Sequence, residues 1–253
     1  MRKTPIHAVV LWALSVLSSA LPSYGQPSVA PKAGEASSNG AIGAAIKVSS
    51  LGPGTEVAVR VARHFNVRAG ANVFSYDDHF RQDGVNYSGT LKFRSAEGHL
   101  DWFPWAGAFH VSPGVIFYNG NEVTANALVP ASQLFTLNSV SYRSGATDPI
   151  TGSGKVTFVR AAPTLLAGWG NIIPRTGKHF SVPFEFGIAF MGTPRSSLGF
   201  RGQACDSTGV YCVDAATDPT VRSNVAAQQK IIDDDLKLAR FYPIVSIGFS
   251  FKF

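Results

Sequence analysis

Few residues in this chain are spaced for covalent chemistry. His99 and Asp101 lie two apart, so in a strand both would point the same way, and Ser112 falls in the next strand-like stretch. A nucleophile, a base and an orienting carboxylate could form a hydrolytic site. No family-specific catalytic motif surrounds these three, and their place in the strand order is an inner rim rather than an outer leaflet. Cys205 and Cys212 are seven apart. In an exported chain such a pair closes a small disulfide loop. A metal site there would need more than Asp206 and Asp214, and no histidine is near. Gly-rich phosphate loops, paired-cysteine metal motifs and internal repeats are absent. The expectation is a non-enzyme with no catalytic, cofactor or metal site. Asn86-Tyr-Ser88 is a glycosylation sequon, of little meaning in a bacterial chain.

The remaining chemistry is charge that alternates with apolar residues. Glu56, Arg60, Arg68, Lys92, Arg94, His110, Glu185 and Lys252 fall on the polar parity of oily stretches. Charges enclosed in a low-dielectric space must pair, so this set is expected to form a buried network. Because its cations outnumber its carboxylates, an open version would be a narrow conduit biased toward anions.

Such a set needs strands to hold it on one side. Val57, Val59 and Val61 alternate with Glu56, Ala58 and Arg60. Val67 to Val73 alternate with Arg68, Gly70 and Asn72, and Phe109 to Phe117 with His110 to Tyr118. Phe180 to Phe190 oppose Ser181, Glu185 and Gly187. The last strand sets Phe241, Val245, Ile247, Phe249, Phe251 and Phe253 against mostly small or polar residues. A period of two with one wholly apolar face fits a wall with lipid outside and a polar interior. From about Ser88 to Phe103 the parity changes, which places a bulge near Glu97-Gly98.

The 253 residues allow one domain of barrel size, and only 15% are charged. Arg2 and Lys3, the apolar Ala8 to Leu17 and the small residues after them form a signal peptide over 1–25. Residues 26–41, rich in Pro, Gly, Ser and Ala, read as a disordered leader, and 42–253 as the barrel. The net charge of +6 contains no dense cluster, and nucleic acid is excluded as a partner of an exported chain.

Short joins at His64–Asn66, Trp102–Gly107 and Asn171–Lys178 alternate with long ones at Tyr76–Tyr87, Asn119–Ser153 and Thr193–Arg240. That parity predicts an all-β, closed antiparallel transmembrane barrel of about eight strands, centred near 46, 59, 71, 94, 113, 162, 185 and 247. Ten strands is the alternative, if Asn121–Arg143 or Ser196–Gln203 joins the wall; a hairpin over Phe135–Arg143 is a further expectation. Gly154 to Gly170 reads as one strand with a bulge at Ala161-Ala-Pro163. Asp218 as a cap, Pro219 at the first position and Val221, Val225, Ile232 and Leu236 at helical spacing predict an amphipathic helix near 219–240. The same topology gathers Phe65, Trp102, Phe103, Trp105, Phe109, Trp169, Phe180, Phe251 and Phe253 at the periplasmic end, as an interfacial girdle requires.

Ser246, Gly248, Phe251 and Phe253 follow a spacing that resembles the C-terminal insertion signal of bacterial outer-membrane barrels. Asp101-Trp-Phe-Pro-Trp105, Gly168-Trp-Gly-Asn171 and the entry into Phe241-Tyr-Pro243 also belong to this pattern. Together they resemble the small, uncharacterised outer-membrane barrels of Gram-negative bacteria, similar in size to the OmpA, OmpX and OmpW types. The resemblance implies residence in the cell outer membrane. Its lipid and lipopolysaccharide would be partners, and the barrel assembly machinery would act during insertion. The expected role is structural or surface-interactive, with a side-chain-filled lumen. The alternatives are a narrow porin-like channel and a lipid-modifying enzyme.

Overall fold

Eight strands close into a ring. The computed structural model describes residues 40–253; the 1–25 signal peptide and all but the end of the 26–41 leader lie outside the described residues. In chain order the strands are β1 (Ile42–Ser49), β2 (Gly52–Ala62), β3 (Phe65–Gln82), β4 (Val85–Trp102), β5 (Phe109–Asn119), β6 (Glu122–Leu128), β7 (Leu134–Leu137), β8 (Val140–Ser144), β9 (Thr151–Thr157), β10 (Ala162–Trp169), β11 (Phe180–Ser181), β12 (Phe184–Phe190), β13 (Arg195–Arg201), β14 (Gln203–Cys205), β15 (Cys212–Asp214) and β16 (Phe241–Lys252). Antiparallel pairing runs β1-β2-β3-β4-β5-β10-β12-β16 and returns to β1, where Ile46 meets Phe249. All eight expected strands are in the ring, and the ten-strand alternative is not.

The polar stretch Tyr76–Tyr87 is not a loop. Strands β3 and β4 pair without interruption to Gln82 and Val85 around a two-residue turn. Asp83 and Gly84 take positive φ there, 50° and 81°, the Asp-Gly hairpin geometry that suits strand twist. Polar residues on both faces disguised a strand that simply continues above the apolar band.

Above the ring the wall becomes an open sheet. The upper half of β4 leaves β5 and pairs with β6, which pairs in turn with β9, and β9 with β13. The stretch Gly154–Gly170 is therefore two strands. Its first part belongs to this extension as β9, and its second to the ring as β10. The hairpin β7–β8 lies in the expected place, and with β14 and β15 it makes a second small sheet. Helix α1 (Pro219–Leu236) follows, its N-cap Asp218 accepting from the amides of Thr220 and Val221, and one 3-10 turn, Lys237–Arg240, leads into β16. Gln229 and Asp233 of α1 bond Leu198 and Ser196, so the helix satisfies the free edge of β13. Val85, Val129, Leu137, Ile150, Ala204 and Val221 form a core of their own here. Cys205 and Cys212 face each other across β14–β15 and form the disulfide.

The outer face of the ring is apolar, with Val57, Val59, Val61, Val115, Phe184, Phe186, Phe249 and Phe251 exposed and Val111 half-buried. At the end with short turns, Trp102, Trp105, Trp169, Phe180 and Phe253 are exposed aromatics. Phe103 is the exception to the expected girdle. It is 1% exposed, packed on the His110 ring and beneath the guanidinium of Arg175.

Candidate functional site

The inward positions of the ring carry a polar network at mid-height. Alternation puts Lys47 of β1, Glu56 of β2, Arg68 of β3, His110 of β5 and Glu185 of β12 inside, all buried. The network also takes Glu97, His99 and Asp101 of β4, which occupy one face of that strand. Arg68 is its centre. Its Nη1 donates to Glu56 (3.2 and 3.1 Å) and to Glu185 Oε2 (2.9 Å). Its Nη2 lies 2.6 Å from Glu185 Oε1 and 3.1 Å from Asp101. Lys47 bonds Glu56 at 2.7 Å and also Glu97. His110 Nε2 meets Glu185 Oε1 at 2.9 Å, and Ser246 donates to Glu185 Oε2 at 3.3 Å.

These contacts cross the bore. Strands β3 and β12 stand four places apart in a ring of eight, so the Arg68–Glu185 pair joins opposite walls. An eight-stranded barrel has an interior only wide enough for side chains to fill. Glycines make the crossing fit. A Cβ on Gly114 would lie 2.2 Å from the His99 ring and 2.5 Å from the Gly98 carbonyl, and one on Gly70 would meet Glu56 at 2.9 Å. On the other side, and above, Leu51, Ile116, Leu166, Met191 and Ile244 pack as an apolar layer. Below, the β10–β11 turn folds into the mouth, where Ile172 and Ile173 pack on Ala45 and Ala58. Asn171 pins that turn, its Oδ1 accepting from Asn66 Nδ2 and from the Ile173 amide, both at 2.9 Å. Arg175, in the same turn, is pushed down to about 10 by burial and by its neighbours Arg60 and Arg63.

Two expected members do not belong. Arg94 is exposed and Lys92 only half-buried, both on the outer parity of β4. The reason is register. Asn66, Arg68 and Asn72 face inward on β3 and pair with Asp101, His99 and Ser95, so the inward residues of β4 are odd-numbered throughout. No bulge interrupts the β3–β4 ladder. The register shift at Ala96/Glu97 is in the β4–β5 pairing, where the extra residue is Phe117 of β5. This also reverses the expected charge balance. Among the described residues the buried inward set holds Lys47, Arg60 and Arg68 against Glu56, Glu97, Asp101 and Glu185. Arg60 donates to the Ile173 carbonyl at 3.0 Å rather than to a carboxylate, and Lys252 is half-buried at the lower rim.

The residues spaced for hydrolysis are bonded to separate partners. Ser112 donates to Asp101 (2.7 Å), which faces Arg68, while His99 Nε2 pairs with Thr164 (3.1 Å). Ser112 is fully buried and His99 is 4% exposed, and the serine bonds Asp101 rather than the histidine. Lys47 was legible by the same alternation that flagged Glu56, since it stands between outward Ile46 and Val48. Glu97, with His99 and Asp101, is an unbroken run of odd-numbered polar residues in β4, and that run was the available signal for the register. In the terminal strand Ser246 and Gly248 lie on the bore parity, while Phe251 and Phe253 point outward.

No family model and no curated protein matches the chain. Solved structures do. A crystal structure of CarO from Acinetobacter baumannii aligns at a TM-score of 0.53 and 22% identity, covering 83% of this chain and 97% of that one. A second, of CarO2 from the same organism, aligns at 0.55 and 18%, covering 85% and 100%. At these identities the likeness establishes architecture, and the chain has the fold of the CarO barrels: a closed, antiparallel ring of eight strands.

Proposed function

We propose that the protein is an integral outer-membrane barrel whose bore is sealed and whose working surface is the extension above it. It is exported by the 1–25 signal peptide and inserted through the Ser246–Phe253 signal by the assembly machinery. It is held in the bilayer by its apolar wall and lower aromatic girdle. The Arg68–Glu185 pair between opposite strands is the observation that carries the sealed-bore reading. A conduit needs a continuous water path, and this pair stands across it, between the apolar layer above and the Ile172–Ile173 turn below. The role is then structural or interactive, performed by the upper sheets and α1, with no reaction at the polar network.

Planar bilayers test this directly. Purified protein is expected to give no stepwise conductance. Glu185→Ala with Arg68→Ala and deletion of Ile172–Ile173 should introduce it. Well-resolved openings from the wild-type protein would replace this reading with that of a narrow channel. Sedimentation of the expressed protein with the outer-membrane fraction tests the location separately.

A further inference from the structure

The outward wall of β3 changes character above Val73. Below it Val67, Ala69 and Ala71 face out; above it come Ser75, Asp77, His79 and Arg81. The extension sheet repeats the change across its strands. Near its top the exposed face is concave and encloses a groove of about 890 Å³. Cross-strand register aligns its upper row as Arg81, Asn86, Leu128, Thr151 and Arg201, one residue from each of β3, β4, β6, β9 and β13. The row beneath starts at His79 and continues in serine and asparagine side chains.

No carboxylate lines this groove. Among the described residues Arg81 and Arg201 have no acidic partner. The acids lower on the same face are engaged, Asp77 by the Thr90 hydroxyl and Glu122 by Lys155. Two guanidiniums therefore stand at the ends of a row whose middle holds the Asn86 amide, the Leu128 side chain and the Thr151 hydroxyl, above a row of serine and asparagine side chains. Four inter-strand spacings of about 4.8 Å separate them by about 19 Å along the sheet. Guanidinium forks bind phosphate bidentately, and short amide and hydroxyl side chains match sugar hydroxyls.

Height selects the source of the phosphate. Arg81 lies eight residues beyond Val73; at about 3.3 Å per residue and a tilt near 40°, that is roughly 20 Å above the apolar band. With Val73 taken as the top of the apolar band, lipid headgroup phosphates fall at the level of Arg94, which pairs with it. Because the groove opens on the same side as the lipid-facing wall, it faces the glycan layer around the barrel rather than the bore.

We infer that this groove binds a phosphorylated saccharide of the surrounding lipopolysaccharide core, gripped at its ends by Arg81 and Arg201. The assignment rests on residence in the outer membrane, which fractionation tests independently. The binding experiment uses full-length protein in detergent, titrated with deacylated, phosphorylated core oligosaccharide. Binding is expected, about tenfold or more weaker after Arg81→Ala with Arg201→Ala or after chemical dephosphorylation of the sugar. Arg94→Ala, at headgroup height, should leave it unchanged. The folded state of each variant is checked by heat-modifiable migration. Absence of binding by folded protein, equal binding of the dephosphorylated sugar, equal binding by the double variant, or full competition by inorganic phosphate would each overturn the inference, even with the protein in the outer membrane.

Discussion

In the proposed sealed bore, Arg68 is the residue on which closure turns. It faces three carboxylates, those of Glu56, Asp101 and Glu185, and is 2% exposed. Burying ions is costly, and the attraction between them offsets that cost only while every member is present. Arg68→Ala leaves the three carboxylates without their common partner and is expected to destabilise the protein by about 3–5 kcal/mol. Urea unfolding in lipid would read this; a loss under about 1 kcal/mol would show that water already reaches the network. Arg68→Lys should fall between, because an ammonium lacks the planar fork that serves Glu56 and Glu185 together. Strand alternation alone marks Glu56, Arg68, His110 and Glu185 as inward. It fails for Lys92 and Arg94 because parity gives which residues share a face and not which face is inside. That choice came from β3, through a register no single strand reveals.

At the scale of elements, the sequence is most informative where one face is unambiguously oily. The ring strands β2, β5, β12 and β16 are of that kind. The upper halves of β3 and β4 are not, since both their faces are polar or mixed and nothing in their period distinguishes a strand in water from a loop. β9 and β10 merged for a related reason: four residues, Phe158 to Ala161, are too few to break an alternation that passes from one sheet to another. The loop that folds into the lower mouth was legible only as a turn, because Ile172 and Ile173 carry no periodicity. The wall itself can be probed on β2. Val59 points outward and its neighbour Ala58 is fully buried against Ile172 and Ile173. Val59→Arg should cost about 2–4 kcal/mol in a bilayer and far less in detergent, where the headgroup can reach water. Ala58→Arg overfills the bore and should be equally costly in both. Refolding yields in the two media separate them, and identical behaviour of the two variants would contradict the inside–outside assignment.

For the whole molecule, the pairing pattern separates what closes the ring from what is built on it. None of β6–β9 or β13–β15 pairs with β1, β2, β5, β10, β12 or β16, and β6 meets only the upper half of β4. Each excursion leaves and re-enters the ring at neighbouring points. Ile116 pairs with Ala162 on β5–β10, and Phe190 with Phe241 on β12–β16. Both gaps are therefore narrow enough for a hairpin turn of two to five residues. The upper cluster around Val129, Ile150 and Val221 shares no buried residue with the layer of Leu51, Ile116 and Met191 that caps the bore. A chain with 120–161 and 191–240 each replaced by a short Asn-Gly turn, and β3–β4 closed just above Val73 and Arg94, retains all eight ring strands and the Arg68 network. It is expected to refold into lipid with heat-modifiable migration, to remain non-conducting, and to lose the core saccharide. Local, antiparallel, sequence-adjacent pairing favours that outcome, since seven of the eight ring contacts join consecutive ring strands by turns that the trimming leaves or shortens. Failure of the trimmed chain to insert would mean that the extension guides ring closure. Conductance from it would mean that the seal lies in the upper layers and not at Arg68 and Glu185.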